Sequence, residues 1–355
     1  MRFVNTKCLI YVKIKYGYFV KEETTMIFVD NKGIHDPRIN LAIEEYLLKT
    51  MDVEKEPVLL FYINQPSIII GKNQNTIEEI NTDYVEDNGI IVVRRLSGGG
   101  AVYHDLGNLN YSFITKDDGD SFMNYKKFTQ PVVDALAKMG VNAELSGRND
   151  ILAEGRKVSG NAQFSTKGRM FSHGTLLFDT EIDAVVSALK VKKDKIESKG
   201  IKSIRSRVAN ISEFLKDKMT VEAFRLEILK SIFGGEENIR YYELSEEDWA
   251  NIHQLSAERY QTWEWNYGKS PRFNIQKTHR FPSGGIDIRL EVNHGVIEEA
   301  HIFGDFFGVG DIADVEQRLV GTNYDRAAIA KSLADINIPT YFGGIATEEF
   351  LQLIY

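Results

Sequence analysis

The sequence has a single cysteine, Cys8, in 355 residues, and it has no long uninterrupted hydrophobic run. A single cysteine excludes an internal disulfide framework, suits a reducing compartment and leaves little scope for cysteine-based catalysis. A membrane-spanning helix needs about 20 consecutive apolar residues, and no segment approaches that length. We therefore expect a cytoplasmic protein that does not span a membrane.

Positive charge is scarce relative to negative charge. The 43 Lys and Arg residues are outnumbered by 51 Asp and Glu residues, so the formal net charge is −8. Nucleic-acid binding favours basic faces, and we therefore expect no nucleic-acid partner. At this length, and with 43% hydrophobic residues, the chain is expected to be globular and to form two domains.

The first 25 residues lack the parts of a secretory signal. Lys7, Lys13, Lys15 and Lys21 interrupt the apolar run, and no small-residue cleavage site follows it. We expect residues 1–25 to be an N-terminal extension, either an extra strand or a loose tail, with no function in the chemistry.

Common metal and nucleotide motifs are absent as well. The sequence contains no H-x-x-x-H and no C-x-x-C. Its strongest pattern is R-R-L-S-G-G-G-A-V-Y-H, which begins at Arg94 and ends at His104. Strand patterns precede this run at 90–93 and follow it at 109–114. A Walker or dinucleotide loop instead joins a strand to a helix, and the glycine spacing here fits neither.

The glycines Gly98, Gly99 and Gly100 can take positive φ and direct backbone N–H groups into a shared concavity, which suits phosphate oxygens. Arg94 and Arg95 would add planar, permanently charged groups for the same anion. An alternative interpretation is a tight hairpin with two solvated arginines.

Apolar patterns predict most of the remaining elements. The runs 58–63 and 67–70, joined by Asn64-Gln65-Pro66, are predicted to be paired strands, either buried on both faces or lining an apolar cavity with one face. Asp36-Pro37 predicts a helix start. Further elements are helices at 128–139 and 220–233, a helix opening at Ser245, and a strand at 169–178.

The pattern restarts after 268–271, which is the best candidate for a domain boundary. Beyond it, strict alternation at 286–292 and 296–303 predicts a hairpin. Two helices are predicted near 311–319 and 326–335.

The longer run R-R-x-S-G-G-G-A-V-Y-H-D-x-G-N-x-N-x-S-F, which begins at Arg94, resembles the signature loop of lipoate–protein ligases. Three further matches follow in the family's order. They are S-G-R-N-D with G-R-K-V-S-G-N-A-Q and S-H-G-T-L-L (146–177), K-G-I-K-S-I-R-S-R-V (199–208) and W-E-W-N-Y-G (263–268). The resemblance extends from about Met26 to the C-terminus, and four motifs in one order are not expected by chance.

The resemblance implies an α+β fold with a mixed sheet. It implies a biotin/lipoate-ligase-like catalytic domain (26–267), a linker (268–274) and a small α+β C-terminal accessory domain (275–355). The implied activity is that of an ATP-dependent lipoate–protein ligase, which adenylates lipoate, releases pyrophosphate and transfers the lipoyl group to an acceptor lysine, releasing AMP. The implied partners are lipoate, apo lipoyl domains of 2-oxoacid dehydrogenase complexes and the glycine-cleavage H protein, with ATP and Mg²⁺, for a monomeric enzyme.

Adenylation brings two anions together and adds negative charge in the transition state. It therefore needs a backbone nest, a planar cation, and a cation that reaches both reactants. The glycine loop and Arg95 supply the first two. Taken alone, Lys157 would be a surface group, but the resemblance implies that it contacts the lipoate carboxylate and the nucleotide phosphate and is catalytic. The predicted ATP-binding residues are Arg95, Gly98, Gly99, Gly100, Ala101, Val102, Tyr103 and Lys157, and the predicted lipoate-binding residues are Lys157, Arg95 and His173.

Several assignments have alternatives. Arg94 is a further site candidate. Asn149 and Asp150 form either a turn or part of the site, where Asp150 would hold Mg²⁺ or orient the incoming amine; the metal ligands are otherwise unknown. His173 is either a structural hydrogen-bonding residue or a lipoate contact. The basic stretch 190–207 is either a solvated face or a loop that covers lipoate and attracts acidic acceptors.

Two other functions compete with the ligase. An octanoyl or lipoyl amidotransferase would form a cysteine thioester, but Cys8 lies outside the family resemblance. A non-catalytic lipoate or nucleotide sensor would be expected to have lost Lys157 or the pair Arg94 and Arg95, and all three are present.

Overall fold

The structure, a computed structural model, describes residues 26–189, 207–268, 273–293 and 295–355. Predictions for the N-terminal extension (1–25), for nearly all of the basic stretch (190–207) and for most of the linker (268–274) lie outside these residues. In the part that is described, no helix is both long enough and apolar enough to cross a membrane.

Strands and helices are numbered here in chain order. The strands are β1 (Ile27–Asp30), β2 (Val58–Ile63), β3 (Ser67–Ile70), β4 (Ile91–Arg94), β5 (Val102–His104), β6 (Asn108–Lys116), β7 (Ala143–Ser146), β8 (Asp150–Ala153), β9 (Arg156–Thr166), β10 (Arg169–Leu177), β11 (Tyr241–Tyr242), β12 (Ile275–Phe281), β13 (Gly284–Asn293) and β14 (Val296–Gly304). The helices are α1 (Pro37–Thr50), α2 (Thr76–Glu79), α3 (Thr82–Asp87), α4 (Tyr125–Lys138), α5 (Ile182–Ala188), α6 (Val221–Phe233), α7 (Glu246–Leu255), α8 (Trp263–Tyr267), α9 (Ile312–Leu319), α10 (Arg326–Ser332), α11 (Ile338–Tyr341) and α12 (Thr347–Ile354).

The largest sheet of the described residues has the strand order β11-β1-β2-β6-β10-β9-β8-β7. It is mixed, because β1 runs parallel to β11 and β2 whereas the other neighbours are antiparallel. Helices α4 and α6 cover one face through Phe128 and Phe224, and α1 and α7 cover the other through Leu47 and Ile252. Every residue of β2 is therefore buried.

The prediction that β2 pairs with β3 was wrong. β3 is the central strand of a second sheet, parallel to β4 and antiparallel to β5. The chain changes sheets at Asn64, whose Oδ1 accepts from Asn40 Nδ2 at 2.9 Å and whose Nδ2 lies 3.0 Å from His104 Nδ1. An apolar run reports burial but does not identify the neighbouring strand. Burial itself, at all four residues of β3, is as predicted.

Local capping signals predicted two helix starts correctly. The Asp36 carboxylate accepts from the backbone N–H of Arg38 at 2.9 Å, and Pro37 is the first residue of α1. Ser245 and Asp248 form a capping box at the start of α7. These short-range contacts depend on neighbouring residues only, which explains why the sequence predicts them.

Residues 275–355 have a hydrophobic core of their own. The predicted hairpin is β13–β14 and the predicted helices are α9 and α10, with β12 completing an antiparallel three-stranded sheet. Strand β12, whose residues are partly or largely exposed and mostly polar, was not predicted from the sequence, and neither were α11 and α12. The predicted α+β class, a mixed sheet followed by a smaller α+β unit, is confirmed.

One buried histidine in this scaffold predicts a pH-dependent stability. His104 is 4% exposed, and burial, followed by the positive charge of Arg95, lowers its pKa to about 3. The unfolded chain takes up a proton at this residue below a pH of about 6.5, whereas the folded chain does not until a pH of about 3. The free energy of unfolding is therefore highest above a pH of about 6.5. It decreases as the pH falls towards about 3, because only the unfolded chain takes up the proton in this range.

We predict that His104 alone lowers the free energy of unfolding by about 2 kcal/mol between pH 7 and pH 5. Urea unfolding at both pH values would measure this difference, which should shrink by that amount in His104→Gln. His253→Gln, at an exposed position, is the matched control and should leave the difference unchanged. An equal pH dependence in wild type and His104→Gln would contradict the prediction.

Candidate active site

The glycine-rich run connects β4 to β5 across the end of β3, and we call residues 97–101 the glycine loop. Of its three glycines only Gly99 has positive φ, at +91°. Gly98 needs its small size instead, since an added Cβ would lie 2.5 Å from the carbonyl oxygen of Phe306. Gly100 is exposed, and an added Cβ there has nothing within 4 Å. The loop is therefore open at Gly100.

Arg94 is 2% exposed, and its guanidinium group is used entirely within the protein. Its nitrogens donate at 2.7–3.4 Å to the carbonyl oxygens of Gly71, Lys72, Gln74, Trp265 and Asn266 and to Thr76 Oγ1. These bonds occupy all five of its N–H groups. Arg94 thus joins the end of β4 to the chain after β3 and to α8, and it presents no free donor to a ligand.

Arg95 is also buried, at 6% exposure, and it shapes the glycine loop. Its Nη2 donates to the carbonyl oxygens of Gly98 and Gly100 at 2.6 and 2.9 Å, and its Nε donates to Ser97 Oγ at 3.0 Å. A fourth bond runs from Nη1 to the carbonyl oxygen of Ile69 at 3.0 Å. Because the guanidinium group binds loop carbonyls, it holds the loop in one conformation. Contact between Arg95 and a ligand anion stays a prediction.

Both guanidinium groups remain charged despite their burial. Desolvation lowers the pKa of Arg94 and of Arg95 to about 10, which is still well above neutral pH. Because both arginines are buried, the alternative interpretation, a hairpin with two solvated arginines, is wrong.

Lys157 lies near the start of β9 and is paired with Asp150, the first residue of β8. Lys157 Nζ is 2.8 Å from Asp150 Oδ1, and the two side chains remain 40% and 35% exposed. Asn149 is tied to the same strands, because its Nδ2 donates to the carbonyl oxygen of Asn161 at 2.6 Å. Lys157 and Asp150 are thus positioned but accessible, whereas Asn149 has a structural contact.

Arg148, Tyr125 and Phe307 connect this pair to the glycine loop. The Arg148 guanidinium carbon lies 4.2 Å from the centre of the Phe307 ring, and the Tyr125 ring centre lies 6.2 Å from it. An added Cβ on Gly99 would lie 2.8 Å from Phe307 Cζ. Burial lowers the pKa of Arg148, and the negative charge of Asp150 acts in the opposite direction. A residue of the C-terminal segment therefore lies between the two sequence motifs.

Two polar atoms at this junction have no hydrogen-bond partner among the described residues: Arg148 Nε and Tyr125 Oη. Burial raises the pKa of the Tyr125 hydroxyl, so it stays protonated and can donate. Buried polar atoms without partners are uncommon in folded proteins, and a catalytic or ion-binding role is one of the recognised explanations. Both atoms belong to side chains that lie against the Phe307 ring.

His173, predicted to contact lipoate, uses both ring nitrogens within the protein. Its Nδ1 lies 3.0 Å from Glu44 Oε1, and its Nε2 lies 2.7 Å from Ser97 Oγ. His173 has no free nitrogen in this arrangement, so a lipoate contact through a hydrogen bond stays a prediction.

Part of this site was not predicted from the sequence. Arg148 lies inside the quoted S-G-R-N-D motif and was a visible candidate, as was Ser97 inside the glycine loop. Glu44, Tyr125 and Phe307 had no motif around them, because their positions relative to the loop depend on tertiary contacts. No group of three His, Cys, Asp or Glu side chains able to hold a metal occurs in the described parts of the chain.

Comparison with known proteins identifies the class of this site. Residues 36–233 match the family described as "Lipoyl protein ligase A/B catalytic domain", and residues 270–354 match "Bacterial lipoate protein ligase C-terminus". The lipoate–protein ligase LplJ of Bacillus subtilis is 68% identical over 93% of this chain and 100% of its own length. Lipoate–protein ligase 1 of Staphylococcus aureus is 54% identical over the same shares.

Solved structures agree with these matches. The Plasmodium falciparum protein LipL1, described in complex with lipoate, has a TM-score of 0.74 and 25% identity over 92% of this chain and 97% of its own. A lipoate–protein ligase A described as bound with ATP has a TM-score of 0.60 and 30% identity over 70% of this chain and 99% of its own.

The fold and these matches define a lipoyl protein ligase with a mixed-sheet catalytic region and a bacterial C-terminal domain. The chain belongs to the lipoate–protein ligase A/B family, and it is a lipoate–protein ligase.

The loop geometry predicts different losses of stability for substitutions at two neighbouring glycines. Gly100→Val should change the free energy of unfolding by only about 0.5 kcal/mol, because the added side chain meets open space. It should weaken ATP binding by about tenfold or more, since the side chain blocks approach to the backbone N–H groups. Titration calorimetry with ATP and urea unfolding would measure the two effects.

Gly99→Ala is the matched comparison, because its Cβ would meet Phe307 and its φ of +91° strains any L-residue. This variant should lose about 1–3 kcal/mol of stability. Unchanged ATP affinity in Gly100→Val would show that the glycine loop is only a turn.

Proposed function

We propose that the chain adenylates lipoate with ATP, releases pyrophosphate, and transfers the lipoyl group from lipoyl-AMP to one specific lysine of an acceptor protein, releasing AMP. The first step forms a mixed anhydride without a covalent bond to the protein, so it needs positioned charge and not a nucleophilic side chain. The observation that carries the residue-level proposal is that Lys157 is held 2.8 Å from Asp150 while its side chain stays 40% exposed.

Lys157 is the proposed catalytic residue. Its ammonium group would contact the lipoate carboxylate and the α-phosphate together, which offsets their mutual repulsion and the added charge of the transition state. Asp150 keeps the ammonium group in place before the substrates bind. Substrate binding then costs little side-chain entropy at Lys157, because the ion pair with Asp150 has already restricted this long side chain.

The proposed phosphate site consists of Gly98, Gly99, Gly100 and Ala101 of the glycine loop, with Val102 and Tyr103 at the start of β5. Arg95 has five N–H groups, and the protein takes four hydrogen bonds from them. Its proposed contribution to ATP and lipoate is therefore mainly its positive charge. His173 is proposed to contribute to the lipoate side of the site.

Mg²⁺ is proposed to accompany ATP. This ion binds nucleotide phosphates with one or two protein carboxylates and several waters, and Asp150 supplies one partly exposed carboxylate that fits such a role. The ion would reduce the charge of the phosphates.

Apo lipoyl domains of 2-oxoacid dehydrogenase complexes and the H protein are the proposed acceptors. A bipartite archaeal ligase from Thermoplasma acidophilum, similar to this chain with a TM-score of 0.62, is described together with its E2 lipoyl domain. A monomeric enzyme in the cytoplasm remains part of the proposal. An amidotransferase mechanism lacks its nucleophile, since residues 36–354 contain no cysteine.

Replacement of Lys157 tests the catalytic proposal. Lys157→Ala should lower the rate of adenylate formation by about 10²–10³-fold, the usual loss for one transition-state charge stabiliser. Pyrophosphate release on mixing with ATP, Mg²⁺ and lipoate would measure it, with circular dichroism to confirm the fold. Lys218→Ala, at an exposed lysine outside the site, is the control. Near wild-type pyrophosphate release from folded Lys157→Ala would exclude this role.

We also propose a division of work between a catalytic domain (26–267) and an accessory domain (275–355), joined by a linker at 268–274. Contacts between the two support it: Gly304 N donates to the carbonyl oxygen of Asn73 at 2.7 Å, and Arg289 Nη2 lies 2.6 Å from Glu78 Oε2. Since Phe307 lies against the glycine loop, the role proposed for the accessory domain is to exclude water from a reactive anhydride.

A chain truncated after Asn274 tests this division. It should still transfer lipoyl from supplied lipoyl-AMP to an acceptor domain, but it should form the adenylate much more slowly. Mass spectrometry of the acceptor measures the first reaction, and pyrophosphate release measures the second. Phe307→Ala in the full chain is the finer variant, because it removes one ring from the glycine loop, Arg148 and Tyr125 and keeps the rest of the accessory domain. Full ligation by the truncated chain from ATP and free lipoate would show that the accessory domain is dispensable.

A further inference from the structure

The accessory domain contacts the chain that follows β3. We call residues 72–78, which include most of α2, the docking segment. Its polar contacts with the accessory domain include Lys72 Nζ to the carbonyl oxygen of Gly310 at 3.1 Å, the carbonyl oxygen of Asn73 from Gly304 N at 2.7 Å, and Glu78 Oε2 from Arg289 Nη2 at 2.6 Å. The contact between Glu78 and Arg289 is an ion pair.

Arg289, on β13, is held in place by neighbouring residues of the accessory domain and the linker. It is 4% exposed, and its Nε and Nη2 donate to Asp287 Oδ2 at 3.2 and 2.7 Å. Asp287 in turn accepts from Gln276 Nε2 at 2.9 and 3.0 Å. The guanidinium carbon lies 4.8 and 5.0 Å from the ring centres of Phe273 and Phe303. Arg289 therefore loses little side-chain freedom when it binds Glu78.

Glu78 is held in place from the other side of the interface by Arg94. Three carbonyl oxygens of residues 71–74 and the hydroxyl of Thr76 accept hydrogen bonds from the Arg94 guanidinium group. These bonds fix the chain immediately before Glu78. The next residue, Arg95, binds carbonyl oxygens of the glycine loop. The ion pair therefore joins the accessory domain to a segment that the same arginine pair connects to the glycine loop.

The charges at this contact favour docking of the accessory domain. Burial by itself lowers the pKa of Arg289, but the hydrogen bonds to Glu78 and Asp287 outweigh burial and raise the pKa above its ordinary value. Separation of the domains would remove the Glu78 carboxylate and leave Arg289 with Asp287. Loss of a hydrogen bond between charged groups costs more than loss of a neutral one. The docked arrangement is therefore the more stable one for Arg289.

We infer that the ion pair between Glu78 and Arg289 anchors the accessory domain to the catalytic domain, and that both are positioning residues for adenylation. They act by keeping Phe307 against the glycine loop and do not touch the substrates. The inference rests on the proposed division of work, in which the accessory domain serves the first step. Loss of the ion pair should therefore slow adenylate formation and leave acyl transfer from lipoyl-AMP nearly unchanged.

Two substitutions at Glu78 in the full-length protein break the ion pair to different degrees. Glu78→Ala removes the carboxylate, and Glu78→Lys places a second cation beside Arg289. The Glu78 side chain is 42% exposed, so both variants are expected to fold. Adenylate formation, measured as pyrophosphate release, should slow by about tenfold in Glu78→Ala and by more in Glu78→Lys. The kcat for transfer from saturating preformed lipoyl-AMP should stay within about threefold of wild type.

The backbone N–H of Gly304 reports docking directly, because it is bonded to Asn73 across the interface. Its exchange with solvent hydrogen, followed by NMR, should be about tenfold faster in Glu78→Ala than in wild type. The backbone N–H of Val309 donates to Thr340 at 2.9 Å within the accessory domain. It should exchange at the wild-type rate, since the accessory domain stays folded when it separates.

Glu78→Gln is the rescue variant. Its amide oxygen can still accept from Arg289, so adenylation and Gly304 exchange should return to within about threefold of wild type. Asp83→Lys is the matched control, because Asp83 is an exposed acidic residue of the neighbouring α3. It changes the net charge by the same amount as Glu78→Lys, and it should leave adenylation and Gly304 exchange unchanged.

Wild-type Gly304 exchange in both Glu78→Ala and Glu78→Lys would overturn the inference, and so would faster exchange combined with wild-type adenylation. Equal slowing of adenylation in Asp83→Lys would also overturn it, because the net charge would then explain the effect. If the wild type forms no lipoyl adenylate, the proposed function fails, while Gly304 exchange still decides whether the ion pair anchors the accessory domain.

Discussion

Burial of the two adjacent guanidinium groups is the constraint on which the rest of this site depends. Removing a charge from water is costly unless hydrogen bonds replace the lost hydration. Arg94 and Arg95 are 2% and 6% exposed, so the protein must bring acceptors to both. It does so mainly with backbone carbonyl oxygens, which come from the chain after β3, from α8 and from the glycine loop itself.

The shape of the glycine loop follows from that requirement. Because the carbonyl oxygens of Gly98 and Gly100 accept from Arg95, the loop is held by its inner side while Gly100 stays exposed. The positive charge lies directly behind the backbone that is proposed to receive phosphate. One pair of arginines can thus supply rigidity and a favourable field, without leaving an exposed charge that water would screen.

Contacts across the chain then complete the site around the loop. Phe307, from the C-terminal unit, separates the glycine loop from Arg148, and Arg289 of the same unit pairs with Glu78, which follows β3. Elements that are far apart in sequence therefore meet around one short segment. Such preorganisation lowers the reorganisation needed when charge develops during adenylation.

The sequence by itself determined the family, the α+β class, the start of α1 at Asp36 and the burial of β2 and β3, because each depends on residue type and short-range spacing. Tertiary structure decided the rest. The sequence could not show that β2 and β3 belong to different sheets, since every residue of both apolar strands is buried. It also could not show that His173 bonds to Glu44, 129 positions away. The physical reason is that a buried polar group takes whichever partner the fold brings near it, and sequence spacing carries no record of that partner.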